Sequence, residues 1–288
     1  MSLTNNIINA AKGFAMGAAN VIPGVSGGTI ALISGIYSEL IESLNALMSV
    51  STWKSLFKDG LKDFWNTIHG TFLLWLGIGI VASIFSLAKL AEYCLALHPI
   101  QTWAFFFGLI VASAIVMLKG IKGWKAKDVA IAAAGVLIGY LVCTLSPTQT
   151  PDNAWFIFII GAIAISSMIL PGISGSFILV IFGKYDYIMT AISEFNIPVL
   201  VVFALGCGVG ILAFAKFLHW LLARCERETM LVLIGFVIGS LVKVWPWNEK
   251  AAIVDGNLHI PGAIIWCIAG FALIIGIELL NSRKEKLQ

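Results

Sequence analysis

Two segments of the chain combine proline, glycine and hydroxyl side chains in the same order. Residues 23–29 are Pro-Gly-Val-Ser-Gly-Gly-Thr, and residues 171–177 are Pro-Gly-Ile-Ser-Gly-Ser-Phe. We call them the first motif and the second motif. Proline and glycine end helices, and the Ser-Gly-Gly or Ser-Gly-Ser triplet is expected to open a new one. The bare N–H groups and the positive dipole end of such a helix suit an anion.

The sequence around the motifs is that of a polytopic membrane protein. Of its 288 residues, 59% are hydrophobic and 11% are charged, and the mean hydropathy is +0.96. These values lie outside the range of soluble globular domains. Each motif interrupts an apolar run, and a broken helix exposes backbone groups that hydrocarbon cannot satisfy. Because such a break is tolerated only where it lines a cavity or faces a ligand, the doubled motif predicts a binding site.

The residues predicted to bind the anion lie in or just before the two motifs and carry hydroxyl, amide or glycine groups. They are Asn20, Pro23, Gly24, Ser26, Gly27, Gly28, Thr29, Pro171, Gly172, Ser174, Gly175 and Ser176. The simpler alternative is that glycine and serine only let helices pack closely, which is common in membranes. Packing alone requires neither a proline nor a hydroxyl cluster in both copies, so we favour the binding role.

Two lysines fall inside apolar segments and are further candidates for the anion. Lys89 and Lys216 occupy equivalent places in the two halves of the chain. A lysine at the bilayer centre costs about 2.5 to 3.5 kcal/mol on insertion scales, and a bound phosphate would offset that cost. The alternative is that each lysine snorkels to the interface, because its parent segment is longer than a bilayer requires. The sequence leaves both interpretations open.

Four further titratable residues are candidates for a coupling-ion site or a proton relay. Glu92 and His219 each follow one of those lysines by three residues, on the same helix face. Glu39 and Asp186 each follow a motif. The coupling ion is expected to be a proton or sodium, although ordinary surface charge is the simpler explanation of all four residues.

The sequence lacks the apparatus of soluble enzymes. Its five cysteines and four histidines are dispersed, and it has neither a Cys-x-x-Cys pair nor a His-Glu-x-x-His motif. Neither motif contains an acidic residue or a histidine that could act as a general acid or base. We therefore expect no catalytic residues, no metal site, no cofactor and no nucleic acid partner.

Hydropathy predicts an all-α fold built from spans and re-entrant hairpins. Six segments are long enough to cross a bilayer: 70–97, 100–119, 128–147, 197–224, 229–247 and 261–281. The arms that flank each motif have only about 16 to 19 residues, which is marginal for a span. Each pair of arms is therefore predicted to form a re-entrant hairpin. Residues 51–68 are predicted to form one interfacial amphipathic helix.

The chain is predicted to consist of two inverted repeats, residues 1–150 and 151–288. Beyond the motifs, Gly35 and Tyr37 match Gly183 and Tyr185 at the same spacing. Each half would hold one hairpin and three spans, an odd number of crossings, so the second half enters the membrane upside down. Thirteen of the sixteen lysines and arginines outside the spans then lie on the side of the N-terminus. The positive-inside rule places both termini in the cytoplasm.

The two motifs resemble those of a known family. Residues 17–31, Gly-Ala-Ala-Asn-Val-Ile-Pro-Gly-Val-Ser-Gly-Gly-Thr-Ile-Ala, resemble the opening signature of a bacterial membrane family catalogued as domain of unknown function 368. Residues 170–176, Leu-Pro-Gly-Ile-Ser-Gly-Ser, resemble it as well. The resemblance covers nearly the whole chain. The second motif has Ser176 and Phe177 where the first has Gly28 and Thr29, so the two half-sites need not contribute equally.

The resemblance implies a function in the bacterial cytoplasmic membrane. Members of that family are implicated as polyprenyl-phosphate transporters, which return undecaprenyl phosphate to the inner leaflet for reuse in peptidoglycan synthesis. The residues by themselves indicate an inverted-repeat transporter that handles an anion by alternating access around a midplane site. Two other classes remain as alternatives, a small-anion carrier or channel and a membrane phosphatase that hydrolyses a lipid pyrophosphate.

Overall fold

The fold comes from a computed structural model of the full chain. It describes residues 3–21, 26–47, 49–58, 60–247 and 259–285. Within these ranges, the side chains of residues 3, 21, 88, 89, 91, 92, 277 and 280–285 lie outside the description. All regular structure in the described ranges is helical, which confirms the predicted all-α class.

Thirteen helices follow one another along the described chain. They are α1 (Leu3–Val21), α2 (Gly27–Ile33), α3 (Tyr37–Leu47), α4 (Val50–Lys58), α5 (Leu61–Thr67), α6 (Gly70–Leu97), α7 (Pro99–Gly120), α8 (Ala126–Cys143), α9 (Ala154–Ile169), α10 (Gly175–Ile181), α11 (Tyr185–Ser193), α12 (Ile197–Ser240) and α13 (Ile260–Glu285). Local sequence explains where α9 begins. Asn153 caps α9 by accepting a hydrogen bond from the N–H of Phe156 at 2.8 Å.

The described helices make the chain a multi-pass membrane protein. Four of them are long and apolar enough to cross a bilayer, namely α6, α7, α8 and α12, and the number rises to six if each of two bent helix pairs counts as a span. Helix α12 also contains a break. Cys225 has non-helical dihedral angles (φ −141°, ψ 51°), and it separates the two segments, 197–224 and 229–247, that hydropathy predicts as distinct spans.

The arm that follows each motif is bent, where the sequence predicts one continuous helix. The chain bends by 120° between α2 and α3 and by 112° between α10 and α11. Each bend lies at a glycine with positive φ, +72° at Gly35 and +61° at Gly183, a conformation that glycine adopts without steric cost. The sequence predicts the arms of the hairpins but not the bends within them.

The two bends have the same hydrogen-bond pattern. Ile36 N–H donates to the carbonyl of Ala31 at 3.0 Å, and Lys184 N–H donates to that of Leu179 at 2.7 Å. Together with the bonds from the N–H groups of the two bend glycines, these form a Schellman motif at each site. The repeat in the sequence is thus a repeat of local structure as well.

The predicted amphipathic helix over residues 51–68 is in fact two helices, α4 and α5. Gly60 precedes α5 with φ +90°, which a continuous helix does not allow. The rings of Trp53 and Phe64 pack across the break with centroids 5.1 Å apart. Phe57 and Leu61 remain exposed, so the pair still presents an apolar face.

The helices pack into two compact units. The first contains Met1–Ser86 and Leu145–Thr229, and the second contains Leu87–Thr144 and Met230–Gln288. Each unit therefore combines segments from both predicted repeats. The repeat boundary near residue 150 stays a prediction.

Close helix packing in each unit depends on glycine. In the first unit, a Cβ at Gly79 of α6 would lie 2.0 Å from the carbonyl oxygen of Ala10 on α1. A Cβ at Gly206 of α12 would lie 2.0 Å from that of Phe158 on α9. In the second unit, α7 packs along α13, and Gly108 contacts the backbone of Cys267. Small residues serve here as they do in other membrane helix pairs.

Candidate functional site

The first motif opens α2 with every first-turn amide already paired. The side-chain oxygen of Asn20 accepts a hydrogen bond from Gly27 N–H at 2.7 Å. Ser26 is the N-cap, and its hydroxyl accepts from Gly28 N–H at 3.1 Å. The carbonyl of Ser26 accepts from Thr29 N–H at 3.0 Å. The expectation of bare N–H groups at this helix start is therefore wrong, because the side chains of Asn20 and Ser26 and the Ser26 carbonyl pair with them.

The second motif opens α10 in a more accessible way. Ser174 is the N-cap, and its hydroxyl accepts from Phe177 N–H at 3.2 Å and bonds the hydroxyl of Ser176 at 3.0 Å. Gly172 turns the chain with φ +89°. Among the described residues, the N–H groups of Gly175 and Ser176 donate no hydrogen bond. The side chain of Ser176 is exposed, unlike the rest of the motif.

The two motifs meet in three dimensions. The Ser26 hydroxyl donates to the carbonyl of Leu170 at 3.1 Å, and the Thr29 hydroxyl accepts from Gly172 N–H at 2.8 Å. These bonds connect residues 144 and 143 positions apart in the sequence. Ser26 and Thr29 are each only 1% exposed, so the bonds form away from solvent. We call this contact between the motifs the junction.

Two further contacts strengthen the junction. Tyr37, at the start of α3, donates its hydroxyl to the carbonyl of Ile169 at 3.1 Å. The backbone of Gly28 approaches the same carbonyl so closely that a Cβ would lie 2.6 Å from its oxygen. The first motif thus holds the end of α9 through side-chain hydrogen bonds and direct backbone contact. Both motifs belong to the first unit.

Several predicted site residues fall outside the described part of the chain. These are Pro23 and Gly24 of the first motif and the side chains of Lys89 and Glu92 on α6. Pro171, by contrast, is described and buried.

The titratable residues that the sequence predicts for the site make none of the hydrogen bonds of the junction. Lys216 is exposed on α12, and His219 is half-buried one turn further on. Asp186 is exposed in the first turn of α11. Glu39 lies 3.5 Å from Nδ1 of His69, with both side chains partly exposed. Across the described ranges, no group of three or more His, Cys, Asp or Glu side chains is placed to hold a metal ion.

A buried lysine that the sequence did not single out supports the second motif. Lys184 is one of the sixteen cations predicted to lie outside the spans, but it is only 3% exposed. Its ammonium group pairs with the carboxylate of Asp152 and donates to the carbonyl of Thr150 at 2.6 Å. It also lies 5.6 Å from the ring centre of Tyr187. No sequence motif connects Lys184 with Asp152, because their contact depends on how the chain folds back.

Replacing Lys184 with methionine should destabilise the hairpin that carries the second motif. The change removes a charged donor from the partly buried carbonyl of Thr150, and hydrogen bonds to charged groups contribute about 1.5 to 3 kcal/mol. Asp152 is 61% exposed and can be solvated, so the loss should stay in that range. Equilibrium denaturation in detergent would measure it, with the exposed Lys54→Met as the matched control. An equal, small effect of both changes would contradict a structural role for Lys184.

The fold and the junction define the class. A multi-pass helical protein in which two broken helices meet is typical of membrane transport proteins. Comparison with known sequences gives the family. Residues 16–259 match the model of the undecaprenyl phosphate translocase-like family, and the chain belongs to that family. Its members are transport proteins and not enzymes.

Two relatives agree with this assignment. A polyprenyl-phosphate transporter from Vibrio cholerae serotype O1 is 44% identical over 240 residues, which cover 83% of this chain and 77% of the relative. A polyprenyl-phosphate transporter from Staphylococcus aureus is 36% identical over 258 residues, 83% of this chain and 86% of the relative. No solved structure matches the chain significantly.

Proposed function

We propose that this protein transports undecaprenyl phosphate across the bacterial cytoplasmic membrane, so that the lipid carrier can be reused in cell-envelope synthesis. The observation that carries the proposal is the junction, where two broken helices meet in a chain whose relatives are named polyprenyl-phosphate transporters. The phosphate head has to pass a barrier that it could not cross alone. The isoprenoid tail can stay in lipid throughout.

The proposed topology is that of two inverted repeats, each with one re-entrant hairpin and three spans. The identical hydrogen-bond pattern at the two bends supports a common origin of the hairpins. The odd number of crossings in each repeat and the asymmetry of lysine and arginine support cytoplasmic termini. Alternating access around the junction would then expose the same head-group site to each leaflet in turn.

The head group is proposed to bind mainly at the second motif. The hydroxyls of Ser26 and Thr29 already bond to the backbone of the other motif, so the first motif fixes the shape of the site. The hydroxyl of Ser176 is exposed and linked to that of Ser174. A phosphate could accept hydrogen bonds from both serines without breaking the junction. This division of roles fits the sequence difference at residues 176 and 177.

Replacing Ser176 with alanine should weaken binding of undecaprenyl phosphate while leaving the fold intact. A hydrogen bond to a charged group contributes about 1.5 to 3 kcal/mol, or about 10- to 150-fold in affinity. Binding to purified protein in nanodiscs would measure the change. Ser193→Ala is the matched control, because this exposed serine bonds only to a carbonyl of its own helix, that of Thr190.

The same assay separates the three classes of function. Selective binding of undecaprenyl phosphate, with leaflet exchange in proteoliposomes, supports the proposal. Tight binding of inorganic phosphate without preference for the lipid would instead indicate a small-anion carrier. Release of phosphate from undecaprenyl pyrophosphate would indicate a phosphatase.

A further inference from the structure

One face of α12 remains exposed along its first six turns. The exposed positions recur every three or four residues, as expected for one helix face. They are residues 201, 204, 205, 208, 209, 212, 213, 216, 217, 220, 223 and 224. The opposite face packs on α9 through Gly206 and Gly210. Since α12 is a candidate span, its exposed face is available for contact with lipid.

Two cations interrupt this otherwise apolar face. Lys216 and Arg224 lie on it with Phe217 and Trp220 between them. Among the described residues, neither cation has a carboxylate within 4.0 Å. An unpaired lysine facing hydrocarbon is costly, and Lys216 lies about 12 Å from Arg224 along the helix axis. The position therefore calls for an anion supplied from the bilayer.

Arg224 interacts with an aromatic ring that lies between the two cations in the sequence. Its guanidinium carbon lies 6.0 Å from the ring centre of Trp220. The rings of Phe217 and Trp220 stack at 26° with centroids 6.3 Å apart. The aromatic pair lies between the two cations and continues into Val209 and Leu212, which are also exposed.

We infer that Lys216, Trp220 and Arg224 form a lipid-facing subsite for the phosphate monoester head of a polyprenyl lipid. The inference rests on the proposed function and adds to it the surface from which the substrate is taken. A phosphate monoester carries close to two negative charges near neutral pH and has three acceptor oxygens, which matches two cations. A phosphodiester lipid head carries one charge and matches less well. The apolar and aromatic side chains beside the cations suit the isoprenoid tail.

The subsite also accounts for the position of Lys216. The sequence left open whether this lysine faces a protein cavity or snorkels to the interface. From the exposed face of α12 its ammonium group can reach a head group while the tail stays in the lipid. Arg224, one of the thirteen cations on the side of the N-terminus, becomes its partner.

The test is binding of undecaprenyl phosphate to the full-length protein in phosphatidylcholine nanodiscs, with and without excess phosphatidylglycerol. We expect Lys216→Gln and Arg224→Gln to lower the affinity by about 10-fold each. The charge-conserving Lys216→Arg should bind like the wild type, which separates loss of charge from misfolding. Lys119→Gln, at an exposed lysine in the last turn of α7, is the matched control and should bind normally.

The possible outcomes are distinct. Wild-type protein that binds no undecaprenyl phosphate would overturn the proposed function together with this subsite. If the wild type binds the lipid and a variant with both Lys216→Gln and Arg224→Gln binds it equally well, the function stands and the subsite is wrong. Displacement of undecaprenyl phosphate from this face by the excess phosphatidylglycerol would also overturn it, since the face would then be a general anionic-lipid site.

Discussion

Alanine in place of Gly28 should separate the two motifs and abolish transport. Its Cβ would lie 2.6 Å from the carbonyl oxygen of Ile169 and 3.3 Å from the carbonyl carbon of Leu170. Both are backbone atoms, so no side-chain rotation can relieve the contact. Overpacking of this kind costs about 1 to 3 kcal/mol and occasionally more, and we expect at least the upper value. Equilibrium denaturation in detergent and leaflet exchange in proteoliposomes would both report the loss.

A second glycine provides the control for this change. Gly77 lies inside α6, and a Cβ there would have no neighbour within 4 Å. Because alanine favours a helix by about 0.8 to 1.0 kcal/mol over glycine, Gly77→Ala should be neutral or stabilising. If Gly28→Ala behaves like Gly77→Ala, the close backbone approach at the junction does not exist in solution.

The sequence was sufficient to predict that the two motifs break helices, because proline and glycine act locally. It did not predict the bends at Gly35 and Gly183, although both glycines were recognised as repeat markers. A positive φ is required only where the chain changes direction at the end of a helix. A sequence pattern does not show where that occurs. The split of the 51–68 helix at Gly60 was missed for the same reason.

The partners of the polar groups were the least predictable part of the site. The sequence indicates that Asn20, Ser26 and Thr29 can form hydrogen bonds, but not that they bond to backbone groups of the protein itself. Lys184 shows the same limit, since its burial depends on residues 150 and 152, which fold over α10. That Lys216 lies on the exposed face of α12 is likewise known only once the face that packs on α9 is known. Tertiary contacts decide all of these cases.

The junction should behave as one cooperative unit when Ser26 and Thr29 are changed together. Thr29→Val keeps the side-chain shape but leaves the buried N–H of Gly172 without its acceptor, and Ser26→Ala removes both a donor to Leu170 and the cap of Gly28. Each loss should cost about 1 to 3 kcal/mol, so the two together represent about 2 to 6 kcal/mol before coupling. Undecaprenyl phosphate affinity should fall as well, because the junction shapes the second motif.

A double-mutant cycle on the free energy of unfolding would measure the cooperativity. Groups that share one hydrogen-bonded contact show interaction energies of about 0.5 to 3 kcal/mol, and we expect the Ser26→Ala and Thr29→Val changes to couple within that range. Ser34→Ala is the control, since the Ser34 hydroxyl bonds only to the carbonyl of Ala31 in its own helix. It should be additive with Thr29→Val. Additivity of Ser26→Ala with Thr29→Val would mean that the two bonds hold the motifs independently, and the junction would then be two separate contacts.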